Sequence, residues 1–165
     1  MKKLLVDYEI CHRCPKCVVS CSYFFHPGNN GLTALREEIA YSLICRRCEN
    51  HPCVQACPNG ALKEQEGTVR RSPLLCVSCK SCSLACPFGT ILPELLPYLK
   101  DRCDLCRESR LEDKQRFVCV NTCPYGALRL VEEEEIKEMK NLQLVNNTLV
   151  VKAVDWLALY GVKKL

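Results

Sequence analysis

The sequence is poor in the large aromatic side chains that usually fill a protein core. Phenylalanine, tyrosine and tryptophan make up 7% of its 165 residues. A chain of this length can bury an ordinary core only if it has the apolar side chains to fill one. We therefore expect a group of another kind to complete the core.

Long apolar runs are also missing. No run approaches the ~18 residues of a transmembrane helix, and residues 1–7 have too few apolar side chains for the hydrophobic region of a secretory signal. No twin arginine follows them. These absences predict a cytoplasmic protein without direct membrane insertion, for which any contact with the membrane face goes through a partner.

Motifs for bond chemistry are absent as well. The sequence contains no G-x-G-x-x-G or Walker motif for a nucleotide. It also lacks the C-x3-C-x2-C motif of enzymes that make radicals from S-adenosylmethionine. We therefore predict that the chain is not an enzyme and has no catalytic residues.

Cysteine is what the sequence has in abundance. Sixteen cysteines fall into four groups of four with none left over, and the groups begin at Cys11, Cys45, Cys76 and Cys103. The groups form an internal repeat of about 30 residues. In a reducing cytosol so many thiols predict metal ligands and not disulfides. Bound thiolates add negative charge, so the formal net charge of +4 is weak evidence for a nucleic-acid partner, and none is predicted.

The spacing within the groups is typical of iron-sulfur proteins. Residues 11–21 and 76–86 each follow C-x2-C-x2-C-x3-C. In bacterial two-cluster ferredoxins this run holds one cluster with its first three cysteines and the neighbouring cluster with its fourth. Residues 45–57 follow C-x2-C-x4-C-x3-C, and residues 103–123 follow C-x2-C-x12-C-x3-C. Four such groups predict four 4Fe-4S clusters, with iron as the metal.

A structural zinc site is an alternative for the fourth group. Its cysteines form two pairs separated by a dozen residues, a spacing that four-thiolate zinc sites also use. They are Cys103, Cys106, Cys119 and Cys123. The first and third groups do not suit zinc, because three closely spaced thiols crowd a single ion and leave one cysteine over.

Histidines and basic residues also lie near the cysteines. The histidines, His12, His26 and His51, are interpreted as surface or hydrogen-bonding residues, because sixteen cysteines already satisfy four clusters. The basic residues either raise a reduction potential, steer an acidic partner or form an ordinary solvated surface. They are Arg46, Arg47, Lys80, Arg102 and Arg107.

Local patterns predict short elements around the cysteines. Each closing C-x3-C has the spacing of one helical turn, and in three groups a proline follows it and a glycine two residues later permits a tight turn. The other predictions are a helix over 32–44, a hairpin of 61–65 with 68–71, an irregular linker over 91–99 and a strand over 127–131. After residue 131 we predict a charged helix over 132–140, a hairpin over 142–151 about Asn146-Asn147, and an amphipathic helix over 153–162 that includes Trp156.

The cysteine groups resemble those of a known family. The segments are Cys45-Arg-Arg-Cys-Glu-Asn-His-Pro-Cys53 and Cys76-Val-Ser-Cys-Lys-Ser-Cys-Ser-Leu-Ala-Cys-Pro-Phe-Gly89. Over residues 6–131 the chain is similar to the four-cluster iron-sulfur subunits of multisubunit redox enzymes. These include subunits of formate dehydrogenase, formate hydrogenlyase, carbon-monoxide-linked hydrogenase and dimethyl sulfoxide reductase, and small subunits of tungsten aldehyde oxidoreductases.

The resemblance implies an α+β fold of two nested bacterial two-cluster ferredoxin-like halves, with short hairpins and helices and a core dominated by clusters. Residues 1–131 would form this domain, with an inner half at 45–90 and an outer half at 1–31 plus 100–131. Residues 132–165 would be a C-terminal extension. This extension either docks a partner or packs on the chain's own core.

The resemblance also implies which cysteines share a cluster. The inner clusters would take Cys45, Cys48, Cys53 with Cys86, and Cys76, Cys79, Cys82 with Cys57. The outer clusters would take Cys11, Cys14, Cys17 with Cys123, and Cys103, Cys106, Cys119 with Cys21. Cys21 is followed by Ser22 and not by proline, a departure that the first group of the family tolerates.

The function that this reading implies is the transfer of single electrons. The partners would be a catalytic oxidoreductase subunit, with a molybdenum or tungsten pterin or with a hydrogenase centre, and a second electron carrier. A free polyferredoxin, or a carrier linked to hydrogenase or carbon-monoxide metabolism, is the alternative. A zinc-stabilised interaction module is the remote one.

Overall fold

The computed structural model describes residues 2–21, 31–65, 67–97, 106 and 117–155. The chain divides into two compact units. The first unit consists of Met1–Ser22 with Asp104–Leu165, and the second unit of Tyr23–Cys103. The predicted helix around Trp156 and the side chains of His26, Cys103, Arg102 and Arg107 lie outside the described residues.

The elements are short and mix helices with strands. In chain order they are β1 (Lys3–Asp7), α1 (Tyr8–Cys11), α2 (Gly31–Ile39) with a π-helical continuation (Ala40–Ile44), α3 (Pro52–Gln55), β2 (Leu62–Gln65), β3 (Thr68–Arg71), α4 (Ser81–Ala85), α5 (Val118–Asn121), β4 (Leu128–Val131), α6 (Glu133–Glu138), β5 (Leu142–Leu144) and β6 (Leu149–Lys152). This mixture is compatible with a ferredoxin-like fold.

The first unit is built on a four-stranded sheet in the order β4-β1-β6-β5. β1 pairs antiparallel with β4, so that Leu4 lies opposite Leu130, and parallel with β6, so that Leu4 also lies opposite Leu149. β5 pairs antiparallel with β6. Leu4, Leu5 and Val6 are all buried, and because successive side chains of a strand point to opposite faces, both faces of the sheet are covered at β1. The sheet thus brings residues 3–7, 128–131 and 142–152 into one core.

The second unit has a smaller core around a hairpin. β2 and β3 pair antiparallel across a turn in which Gly67 has a φ of +72°, a conformation that glycine adopts without steric cost. Apolar side chains from the hairpin, from the π-helical turn and from the linker pack together. They are Tyr41, Leu62, Val69, Cys82, Ile91 and Leu96. One cysteine belongs to this core and others pack against it.

Most of the predicted local elements are confirmed. The hairpin of β2 and β3, the strand β4, the charged helix α6 and the hairpin of β5 and β6 form where they were predicted. The helix over 32–44 forms as α2 and its continuation, and the described part of the linker, residues 91–97, has no helix or strand. Strand β1 was not predicted, because its pattern carries only a few apolar residues before Asp7.

The prediction of a helical turn at every C-x3-C is wrong for the first group. Residues 17–21 are irregular, and the backbone N–H of Ser20 donates to Thr122 Oγ1 at 3.0 Å. The other three C-x3-C helices each follow a residue with a positive φ, namely His51, Lys80 and Phe117. No residue between 2 and 21 has a positive φ, so the chain lacks the reversal that starts a helix in the other groups.

The residues after 131 do not stand apart from the rest of the first unit. Strand β6 occupies an inner position of the sheet, and Leu149, Val150 and Val151 are each 1% exposed. Residues 142–152 therefore form part of the sheet of the first unit.

Candidate metal centres

One cavity of the second unit is lined by four cysteines from two different groups. Cys76, Cys79 and Cys82 begin the third group, and Cys57 closes the second. The cavity is partly open to solvent. We call it the Cys76 cavity.

A second cavity of the same unit repeats this arrangement with the groups exchanged. Cys45, Cys48 and Cys53 begin the second group, and Cys86 closes the third. This cavity is also partly open to solvent. We call it the Cys45 cavity. The two cavities bring together the two inner sets of cysteines that the family resemblance implies.

Two short helices place the closing cysteine of each group in the cavity of the other group. α3 begins after His51 and α4 after Lys80, and both of these residues adopt the left-handed conformation. Such a reversal places Cys53 and Cys82 in the first turn of each helix. The closing cysteine of each group then lies about one turn further along. Because α3 and α4 pack together, each closing cysteine meets the other group's site.

A tight turn after each closing cysteine directs the chain away from the site. The N–H of Gly60 donates to the carbonyl oxygen of Cys57 at 3.3 Å, and Gly60 has a φ of +60°. The next N–H, of Ala61, donates to Cys57 Sγ at 3.2 Å. Equivalent turns follow the third and fourth groups, at Gly89 and Gly126. A backbone donor on a ligand sulfur stabilises its negative charge and so helps to set a reduction potential.

Burial and crowding make two of the cavity cysteines costly to ionise without metal. Burial raises the pKa of Cys53, and the nearby sulfurs of Cys86 and Cys45 raise it further. Burial likewise raises the pKa of Cys82, with added contributions from Cys57 and Cys76. These neighbours are the members of the same cavity in each case. Like charges placed together disfavour the thiolate, and a positively charged iron core removes that cost.

Hydrogen bonds oppose this effect at two other cysteines. Burial raises the pKa of Cys86, but donors at Phe88, Thr90 and Ile91 outweigh it and the net pKa is lowered. The pKa of Cys79 is lowered by the hydroxyl and the backbone N–H of Ser81. Each cavity therefore has at least one cysteine whose thiolate the protein favours.

The donor set fits a polynuclear iron-sulfur group. Thiolates in fours suit zinc or iron-sulfur clusters. Within the described ranges, no three side chains of cysteine, histidine, aspartate or glutamate converge as the ligands of one ion would. In each cavity of the second unit four sulfurs from two cysteine groups line one space, and four thiolates are the ligand set of a 4Fe-4S cluster. The zinc alternative for the fourth group stays untested, because Cys103 lies outside the described residues.

A buried ion pair beside the Cys76 cavity was not predicted from the sequence. Arg71 on β3 donates from Nε and Nη2 to the two carboxylate oxygens of Glu37 on α2, at 2.8 and 3.2 Å. Arg71 also lines the Cys76 cavity. Burial lowers the pKa of Arg71, but its hydrogen bonds to Glu37 and to the Cys76 sulfur outweigh this and raise it. The burial of Arg71 could have been predicted from the sequence. Val69 and Arg71 are two residues apart in a hairpin strand, so their side chains lie on the same face.

Tyr41 extends this buried network. Burial raises the pKa of Tyr41, and the charge of Glu37 raises it further. Tyr41 is on the wall of the Cys45 cavity. Glu37 therefore lies close to Arg71, which lines the Cys76 cavity, and to Tyr41, which lines the Cys45 cavity.

The described cysteines of the outer sets lie in the first unit, on short helices or in segments between elements. α1, which follows β1, ends at Cys11, and α5, which carries Cys119, precedes β4. The pairing of β1 with β4 brings these segments to one end of the sheet, and the N–H of Asp7 donates to the Ala127 carbonyl at 2.8 Å. The other described cysteines of the outer sets are Cys14, Cys17, Cys21, Cys106 and Cys123.

The histidines and flanking basic residues have separate positions. His12 Nδ1 lies 2.9 Å from the carbonyl oxygen of Tyr8, while His51 precedes α3 and lines the Cys45 cavity. Arg46 lines the Cys45 cavity and Lys80 the Cys76 cavity, both with exposed side chains. In the part of the chain that the structure describes, no helix has the length and hydropathy to cross a membrane.

Comparison with known families matches two segments of the chain. Residues 36–133 match the 4Fe-4S dicluster domain, and residues 8–23 match a 4Fe-4S binding domain. The first match covers both cavities of the second unit and the described cysteines of the fourth group.

Related proteins agree with these matches. The chain is 27% identical over 164 residues to the electron transport protein HydN of Escherichia coli, covering 82% of this chain and 91% of HydN. It is 29% identical over 150 residues to the thiosulfate reductase electron transfer subunit PhsB of Salmonella typhi, covering 81% and 78%. It is 31% identical over 149 residues to the putative oxidoreductase UacF of Escherichia coli, covering 84% of this chain and 22% of UacF. The chain thus spans about a fifth of UacF.

Proposed function

The chain belongs to the 4Fe-4S dicluster domain family, and on that premise we propose that it relays single electrons through four 4Fe-4S clusters between a catalytic oxidoreductase subunit and a second redox partner. Its cofactors are 4Fe-4S clusters and its role is electron transfer, as in its relatives. The chain carries out no bond chemistry of its own, and its partners supply the reaction.

The observation that supports the proposal best is the exchange of closing cysteines between the two cavities. A 4Fe-4S cluster supplies reversible one-electron chemistry when it is bound. The chain's part is to hold four thiolates around each site and to exclude water from the space between the sites. Cysteines of both cavities pack against one apolar core that includes Leu62, Val69 and Ile91, so an electron passing between the sites crosses a dry, close-packed region.

We extend the same logic to all sixteen cysteines. The proposed ligand sets are Cys45, Cys48, Cys53, Cys86; Cys76, Cys79, Cys82, Cys57; Cys11, Cys14, Cys17, Cys123; and Cys103, Cys106, Cys119, Cys21. In this proposal the inner pair lies in residues 45–90 and the outer pair in residues 1–31 and 100–131, as two nested ferredoxin-like halves.

The proposed catalytic partner is a molybdenum or tungsten pterin enzyme. PhsB is named as an electron transfer subunit of a reductase and matches over most of its length, which supports a partner of the reductase or dehydrogenase kind. A hydrogenase or carbon-monoxide-linked system is the second choice of partner.

The cluster content is tested by anaerobic purification with iron and acid-labile sulfide analysis. We expect about sixteen iron atoms and sixteen sulfides per chain, and a visible absorption that bleaches on reduction with dithionite. About twelve irons with one zinc would reassign the fourth group to zinc. A colourless protein with zinc and no iron would contradict the electron-transfer proposal.

The partner is tested by co-purification from the native host under the same conditions. We expect a larger subunit to elute with the chain in fixed ratio, with molybdenum or tungsten present in the complex by elemental analysis. A chain that elutes alone with all its clusters would instead support a free polyferredoxin.

A further inference from the structure

We propose that the buried Glu37–Arg71 pair makes the cluster of the Cys76 cavity the more readily reduced of the two clusters in the second unit. The inference rests on the proposed function, because it presupposes a 4Fe-4S cluster in each cavity. It adds an order of electron occupancy, which neither cysteine spacing nor family membership specifies.

The pair is withdrawn from solvent. The side chain of Arg71 is 1% exposed and that of Glu37 is 7% exposed. Arg71 is held at three points, by the two carboxylate oxygens of Glu37 and by the carbonyl oxygen of Leu96, which Nη1 meets at 3.5 Å. A guanidinium fixed in this way cannot turn away from the cavity that it lines.

The pair is also oriented. Arg71 belongs to the wall of the Cys76 cavity, and Glu37 does not. Glu37 lies behind the guanidinium on helix α2, one turn before Tyr41. The positive end of the pair therefore faces Cys76, and the negative end faces away from that site.

A cation close to a cluster favours the reduced state, because reduction adds one negative charge. This attraction is strong at a buried site of low effective dielectric and weak at a solvated one. Each cavity also has one exposed cation in its wall, Lys80 at one and Arg46 at the other. Water screens both of these charges, so the difference in buried charge between the two cavity walls comes from Arg71.

The test is a potentiometric titration of the full chain with its clusters, followed by electron paramagnetic resonance. Replacing both charges, Glu37→Gln with Arg71→Gln, avoids leaving one ion buried alone. We expect one cluster to become harder to reduce by about tenfold, or ~59 mV for one electron, with iron and sulfide unchanged. The matched control is Arg36→Gln with Glu94→Gln, an exposed pair at 3.1 Å in the same unit, which is expected to leave every potential unchanged.

Single variants separate a charge effect from a structural one. Glu37→Gln leaves the guanidinium without its counter-charge, so the same cluster is expected to become easier to reduce, the opposite direction to the double variant. Arg71→Lys keeps the charge and is expected to keep most of the effect. If the double variant loses iron, the Glu37→Gln variant alone tests the proposal. A reduction potential that is lowered or unchanged in that variant would overturn it.

Ligand variants identify which cluster moves. In a chain with Cys45→Ala and Cys86→Ala, which disables the Cys45 cavity, the shift caused by the charge variants must persist. In a chain with Cys57→Ala and Cys76→Ala it must disappear. A shift that follows the Cys45 cavity, or no shift beyond that of the control, overturns the inference alone, whereas a wild-type chain without iron would contradict the proposed function before any variant is made.

Discussion

Lys152 is the last residue of β6 and lies opposite Asp7 of β1, with its Nζ 3.5 Å from Asp7 Oδ2. Asp7 is buried and accepts the N–H of Glu9 at 3.0 Å, so that it caps the helix ending at Cys11. Lys152 also bonds the carboxylate of Glu9. The C-terminal strand thus supports the segment that presents the first cysteine of the chain.

Replacing Lys152 with methionine is expected to destabilise the first unit by about 1–3 kcal/mol, because it leaves the Asp7 carboxylate buried without its cation. Anaerobic denaturant unfolding followed by circular dichroism measures the change, with Lys137→Met as the control at an exposed lysine of α6.

The pKa of Lys152 is raised above its ordinary 10.5, chiefly by the hydrogen bond to Glu9. The stabilisation is therefore fully present below pH 10.5 and lost as the pH rises through the higher folded-state value. Equal stability of the two variants would contradict the prediction.

The substitution Val150→Ala tests whether the extension belongs to the core. Val150 is 1% exposed and packs with Leu5 and Val131. Removing two methyl groups from such a site is expected to cost about 2 kcal/mol in unfolding free energy. Leu144→Ala, at a side chain that is 61% exposed, is expected to change stability by about 0.5 kcal/mol at most. A similar small effect at both positions would return residues 142–152 to the role of a separate arm.

Pairs of cysteine variants test the exchange of ligands in the second unit. Cys45→Ala with Cys86→Ala removes ligands from one cavity only, so about twelve irons per chain are expected to remain. Cys76→Ala with Cys86→Ala removes one ligand from each cavity, and about eight are expected. Iron analysis after anaerobic purification distinguishes the two. The reverse result would mean that each group of cysteines holds its own cluster.

The left-handed backbone conformation of Lys80, which precedes α4, gives a further prediction. Its φ of +65° is unfavourable for a β-branched residue and easy for glycine or asparagine. Lys80→Val is expected to cost about 1–3 kcal/mol and to release iron faster in denaturant, whereas Lys80→Asn, which removes the same charge, is expected to retain iron like the wild type. If both variants behave alike, the conformation at Lys80 does not matter for the site.

Removing iron is expected to unfold the second unit. Its core consists of few apolar side chains, and cysteines of both cavities pack against it. Without a cluster the crowded sulfurs repel one another on ionising, and the space that they line is left open. Circular dichroism after anaerobic chelation should show the loss of the hairpin and the short helices, with recovery on reconstitution by iron and sulfide. Native-like structure in the iron-free chain would contradict the prediction.

Much of the local structure follows from neighbouring residues and could be predicted. The C-x3-C turns of three groups, the turns at Gly60 and Gly89 and the hairpin at Gly67 depend on contacts within a few positions. The prediction of a helical turn at 17–21 was wrong, because this segment depends on a hydrogen bond from the backbone of Ser20 to Thr122, which is distant in sequence.

The sequence by itself determined the chemistry of the sites, because the ligands are abundant, regularly spaced and able to bind iron-sulfur clusters whatever surrounds them. Only the tertiary structure decided that β1 pairs with β6 and that Arg71 is buried against Glu37 with its charge directed at one of two similar cavities. The physical reason is that burial and pairing depend on which distant segments cover a residue. The two arginines of β3, adjacent in the chain, differ in whether they face the core, and from that follows the electrostatic difference that we propose between the two sites.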